Sequence, residues 1–193
     1  MEFKSVDSIY EYLRGIARKT TDGMHVVGED ELRADSMEIL IYNAIFNPKK
    51  DVLDRTRLII KQLAANLGIR PASIQGLYEA MGRGDCSGFT VPAVNIRGLT
   101  YDTARALFRS AKKHNSGAFI FEIAKSEIGY TEQRPAEYTA CILAAAIREG
   151  CRGPVFIQGD HFQVNAKNFP KDKNAEIDGL KKLIKEAVEA DFL

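Results

Sequence analysis

The tripeptide Gly159-Asp160-His161 follows the apolar run Gly153-Pro154-Val155-Phe156-Ile157-Gln158 and sets a carboxylate beside an imidazole. A short apolar run bounded by glycine reads as a buried strand. The Asp–His step therefore falls where a strand opens into a loop. In barrel and open α/β folds, catalytic groups collect at the carboxyl ends of strands. There the pair suits metal-assisted carbonyl chemistry, in which His161 binds a metal ion and Asp160 moves a proton. The plainer reading is a strand-end Asp capping the next turn beside a surface His.

Other residues belong to the same expected rim. Asn95 ends an earlier strand-like run, where it either bonds substrate or orients a ligand, or simply forms a turn. The stretch Lys125-Ser126-Glu127-Ile128-Gly129-Tyr130-Thr131 follows a second such run and reads as a loop. Ser126 and Lys125 are placed to contact hydroxyl or phosphate groups. Glu122 and Glu127 are alternative acid/base or supporting groups, and Gln158 and Gln163 flank the Asp–His step. Any loop between strand and helix also needs polar residues for its own sake.

The elements that hold these residues change character near residue 86. Before it the spacing is helical. Ser5 or Asp7 caps a helix carrying Ile9, Tyr12, Leu13 and Ile16. Residues 20–28 read as a loop. A second helix carries Leu32, Met37, Leu40, Ile41 and Ile45 and stops before Pro48. A third carries Val52, Leu53, Leu58, Ile59 and Leu63 and ends at Leu67-Gly68. Pro71 opens a fourth, which Gly82 and Gly84 end.

After residue 86, strands and helices alternate. Strands are expected over 89–96, 118–123 and 155–158. Helices are expected from Thr100, as cap, to His114-Asn115, from Pro135 to Gly150, and over 177–190. The last has Leu180, Leu183, Ile184, Ala187 and Val188 inward. Asp191-Phe192-Leu193 reads as the start of a fourth strand. The pattern is that of a parallel α/β sheet. Three βα units fall short of the eight of a closed barrel. The expectation is therefore the N-terminal part of a longer protein or a fragment, with a small open βα domain as the alternative.

Bulk properties narrow the function classes. The chain has 193 residues, 45% of them hydrophobic and 27% charged, as in a soluble globular protein. A net charge of +1 supplies no global field for nucleic acid or a membrane surface. Met1-Glu2-Phe3-Lys4 lacks an apolar signal core, and no run is long enough to span a bilayer. Cys86, Cys141 and Cys151 have no metal or redox spacing and read as reduced thiols of a cytoplasmic protein.

The strand Val91-Pro92-Ala93-Val94-Asn95-Ile96 and the strand ending Gly159-Asp160-His161 resemble the class II, zinc-dependent fructose- and tagatose-bisphosphate aldolases. The intervening βα unit and second strand fit that family's spacing. The resemblance covers about residues 86 to 193. It implies the first three βα units of a (β/α)8 TIM barrel, preceded by an α-helical segment over 1–85. It implies Asp160 as the catalytic proton donor or acceptor and His161 as one of three Zn2+ ligands; Asn95 and Ser126 are the substrate-binding candidates by their place on the rim. The partner it implies is a sugar phosphate, and the assembly a homo-oligomer. Glu122, Gly129-Tyr130-Thr131, Pro135, Gly159-Asp160-His161 and Asn165 also match, in order, the non-catalytic partner subunits of tagatose-bisphosphate aldolase.

The remaining zinc ligands and the phosphate loops of the active family are expected beyond Leu193. His25 and His114 match no family ligand, and His114 reads as a helix C-terminal residue facing the dipole. One histidine does not hold zinc tightly, so these residues alone are expected to be inactive.

A reading from another class starts at Ala64, Gly68 and Ile74, which have the spacing of a DNA-binding helix-turn-helix. Residues 48–83 hold seven Lys/Arg and three Asp/Glu, an excess that suits phosphate contacts. The would-be recognition helix offers only Gln75 and Glu79 as polar side chains, whereas base readout favours Arg, Lys, Asn or Gln. Any tight helical hairpin also wants a small residue and a turn glycine, which weighs against nucleic acid.

Overall fold

A computed structural model describes residues 1–193. The chain is α/β, and its strands form two sheets. The smaller is the hairpin of β1 (Ala17–Thr20) and β2 (Gly23–Val26). The larger has four strands in the order β3-β6-β5-β4, comprising β3 (Ile69–Pro71), β4 (Ala93–Asn95), β5 (Ile120–Ala124) and β6 (Gly153–Asp160). The β4–β5 and β5–β6 pairs are parallel, as the alternation of strands and helices requires. By internal contacts the chain forms two compact units. One is Met1–Arg70, Leu99–Ser116 and Ala140–Val155; the other is Pro71–Gly98, Gly117–Thr139 and Phe156–Leu193.

The first unit is mainly helical. Helix α1 (Val6–Tyr12) begins with a reciprocal cap in which the Ser5 and Ser8 side chains each accept from the other's backbone N–H. A short α2 (Glu29–Glu31) runs through a π-helical turn, Leu32–Ser36, into α3 (Met37–Phe46). Helix α4 (Lys50–Asn66) presents Val52, Ile59, Ile60, Leu63 and Ala64 to a dry core shared with Leu40, Ile41 and Ala44 of α3. Asn43 is fully buried and satisfied: its Oδ1 accepts from Phe3 N–H at 2.8 Å, and its Nδ2 donates to the Met1 and Ile39 carbonyls. It thereby pins the N-terminal residues onto α3.

Helix α6 (Thr100–Lys113) joins this unit through a charged bracket. Arg105 reaches Glu38 at 3.1 Å and Glu149 at 2.8 Å, and Tyr101 donates to Glu38 at 3.0 Å. Burial and the Glu38 carboxylate push the Tyr101 phenol far above its ordinary pKa.

The second unit carries most of the parallel sheet. Its remaining helices are α5 (Gln75–Arg83), α7 (Lys125–Thr131) and α9 (Lys173–Glu189). Helix α8 (Pro135–Arg148) spans the boundary between the units. Tyr138 is fully buried and donates its hydroxyl to the Glu122 carbonyl at 2.8 Å, fastening α8 to β5. Thr139 caps the end of α9 by donating to Ala190 O at 2.6 Å. Leu193 N–H donates to Ile157 O at 3.0 Å, which ties the last residue to β6.

Several expectations are corrected. The expected loop over 20–28 contains strand β2: Thr21-Asp22 forms a two-residue turn, and Gly23, at φ 127°, supplies the backbone that hairpin needs. Pro71 ends a strand, where its missing N–H costs nothing, and does not open a helix. Thr100 is the first residue of α6; the cap position is Leu99, in the left-handed region, with no side-chain cap. Residues 125–131 are helix α7 and not a loop. On α9 only Leu183 and Ala187 of the five expected inward residues are buried, while Ile184 and Val188 are exposed. Between α4 and α5 the chain inserts β3, so Ala64, Gly68 and Ile74 do not belong to a tight helix-turn-helix.

Candidate functional site

Parallel pairing sets up the site. Asn95 pairs with Glu122, Glu122 with Gln158, and Ala124 with Asp160. Side chains at paired positions share a face, and alternate residues along a strand do too. Asn95, Glu122, Gln158 and Asp160 therefore lie on one face near the carboxyl ends of β4, β5 and β6. All four are half-buried. Gln158 Nε2 donates to Glu122 Oε2 at 3.0 Å, which cross-braces the row.

Asn95 is the hub. Its Nδ2 donates to Asp160 Oδ2 at 3.0 Å and to Glu127 Oε2 at 3.1 Å. Glu127 is buried at the third position of α7, and its Oε2 also accepts the Ala124 N–H at 2.8 Å. That bond is half of a capping box, satisfying a backbone donor at the helix start. Its other oxygen, Oε1, pairs with Arg97 Nε, two residues past β4. Burial pushes the Glu127 carboxyl up. The Ala124 N–H, Arg97 and Asn95 together outweigh it and hold the carboxyl below the ordinary carboxylate range. Arg97 is raised in turn, chiefly by its bond to Glu127.

Asp160 closes β6. Its Oδ1 lies 3.5 Å from Nε2 of His161, and the His161 side chain is 71% exposed. His161 adopts φ 46°, a left-handed conformation that ends the strand sharply. Gly159 precedes them: a Cβ there would lie 2.6 Å from the Phe162 ring, so only glycine lets that ring lie over the strand end. Lys125 is spoken for, its Nζ donating to Gln163 O at 3.1 Å and lying 3.7 Å from Glu176. Glu176 accepts the Asn165 N–H at 2.9 Å, which ties α9 to the loop after β6.

Of the residues singled out in the sequence, Asp160, His161 and Asn95 come together at one strand end. Glu122 and Gln158 line the same face. Ser126 is exposed on α7 and is not part of the Asn95 network. Arg97 was not anticipated, and Glu127 was anticipated only as one of two alternatives. The available signal was a Glu three residues after a strand-terminal Ala, the position from which a carboxylate caps a helix start.

A catalytic zinc takes three protein ligands and leaves one position open. No three His, Cys, Asp or Glu side chains of this chain converge in a way that would hold a metal ion. No family model, curated protein or solved structure matches the chain.

Proposed function

We propose that this chain carries the acid/base end of a class II aldolase. That enzyme is a lyase cleaving a ketose bisphosphate, of the fructose or tagatose type, reversibly to dihydroxyacetone phosphate and an aldehyde. The observation that supports it best is Asp160 at the carboxyl end of a parallel strand, one oxygen held by Asn95 and the other 3.5 Å from His161. In the cleavage direction Asp160 accepts the proton of the hydroxyl on the carbon that becomes the aldehyde. The adjacent C–C bond breaks, and its electron pair stays with the ketone half, which is then protonated. In synthesis Asp160 returns the proton to the new hydroxyl. Asn95 orients Asp160, and Ser126, exposed on the neighbouring helix, is available to substrate oxygens.

The architecture belongs to the proposal as well. The parallel β4–β5–β6 arrangement supports a (β/α)8 barrel, whereas β3 at the other edge of β6 departs from that plan. Zinc is the Lewis acid implied, with His161 as the ligand this chain offers and its partners outside these residues. The enzyme so envisaged is a cytoplasmic homo-oligomer of carbohydrate metabolism acting on a sugar phosphate.

The test is zinc content and retro-aldol turnover of the intact protein. His161→Ala is expected to lose zinc. Asp160→Ala is expected to keep zinc and lose turnover. Normal cleavage by Asp160→Ala would refute the assignment. Absence of both zinc and cleavage would favour a non-catalytic barrel subunit that stabilises an aldolase partner.

A further inference from the structure

We propose that Arg33, Arg148 and Arg152, gathered where the π-helical turn meets the end of α8, bind a phosphate dianion. The site does not depend on the strand-end reading. Arg152 stands just before β6, at the amino end of the strand whose carboxyl end Asp160 closes. All the residues concerned belong to the first compact unit.

Two guanidinium donors point to an acceptor. The Nε atoms of Arg33 and Arg148 are buried and have no hydrogen-bond partner. Arg148 Nε lies 3.3 Å from Glu38 Oε1, an ion pair without a hydrogen bond. A buried donor left unpaired is costly, and it marks a place where an acceptor belongs. The two arginines are held together, because Arg148 Nη1 donates to the Arg33 carbonyl at the turn that kinks at Ala34. Gly150 leaves room for this: a Cβ there would lie 2.7 Å from Arg33 Nη1. The side chains of Arg33 and Arg148 are 26% and 28% exposed. A ligand therefore reaches their terminal nitrogens, and a small turn of either side chain brings its Nε to the same ligand.

The charges around them fit a dianion. Arg33 and Arg152 share one oxygen of Glu29, and Arg105 and Arg148 share one oxygen of Glu38. Arg105 and Arg109 share one oxygen of Glu149. Asp102 lies 3.8 Å from Arg105, and Lys112 donates to the Glu149 carbonyl. Six cations thus meet four carboxylates, which leaves two positive charges over. The end of α8 does not oppose an anion with bare carbonyls, since those of Ala146 and Ile147 accept from the Cys151 and Gly150 N–H groups. Guanidinium forks match the paired oxygens of a phosphate group.

The test is a titration with inorganic phosphate, followed by NMR on the arginine Nε–H signals, with sodium chloride at equal ionic strength as the control. Phosphate is expected to shift the Arg33 and Arg148 signals to saturation, and chloride to leave them in place. Arg152→Gln removes a side chain that is 46% exposed and is expected to weaken phosphate binding about tenfold. Arg33→Lys keeps the charge but loses the fork, and the same loss is expected. Phosphate should also raise the urea midpoint of the wild type more than that of either variant. Glycerol phosphate separates the sources: tighter binding than inorganic phosphate assigns the site to a phosphate monoester, and equal or weaker binding to free phosphate. No shift from either phosphate compound, an equal shift in chloride, or unchanged affinity in either variant would overturn the proposal.

Discussion

At the scale of single residues, the strand-end carboxylates divide their work by environment. Asp160 is partly open, with its side chain 26% exposed, and free to meet a ligand, whereas the Glu127 side chain is only 7% exposed and committed to protein partners. That division has a pH consequence. The Glu127 carboxyl is held below its unfolded value of 4.5, so its stabilisation is present above that pH and is lost as the pH falls through the folded value. Urea midpoints should therefore separate wild type from Glu127→Gln at pH 7, with Glu127→Gln less stable by about 1–3 kcal/mol. The gap should close in strong acid. A gap of constant size from neutral to acid pH would contradict the ionised, anchored Glu127.

At the scale of elements, backbone and packing set the rim, and part of this is readable in the sequence. The expected strand 155–158 is read from apolar residues bounded by glycines, and β6 keeps that assignment with two residues more at each end, closing on Asp160. Asn95 likewise ends β4, although that strand is shorter than the apolar pattern suggests. Helix α7 was not legible. It is seven residues long and includes Gly129, Ile128 and Thr131, all poor helix formers, and it holds through its contacts with β5 and the Glu127 cap.

The Thr21-Asp22 turn was masked by the polar residues around it, which hide the two short strands it joins. Leu99 shows the limit of pattern reading. It sits at φ 49° and is 81% exposed, so its conformation is imposed by the turn into α6 and not by burial. Leu99→Gly should remove that strain and raise stability by about 0.5–1 kcal/mol, read as a higher urea midpoint. Gly159→Ala should cost about 1–3 kcal/mol because the new methyl meets the Phe162 ring. In Phe162→Ala that cost should largely disappear, and a fully additive double variant would contradict the contact.

At the scale of the whole molecule, the chain is a near-neutral α/β protein with a parallel sheet, and no helix in it is long and apolar enough to cross a membrane. Cys141, 1% exposed, should be alkylated only after unfolding in urea. The sequence pattern of the apolar run was enough to place Asp160 and His161 at the end of β6. The hub at Asn95 needed the register between three strands that are distant in the chain, which no local pattern contains.

The most direct measurement is the rate of ketose-bisphosphate cleavage by the zinc-loaded intact protein, compared between wild type and Asp160→Asn. Proton transfer by Asp160 predicts a kcat lower by about 10²–10⁴-fold with zinc content unchanged. Equal rates for the two proteins would contradict it.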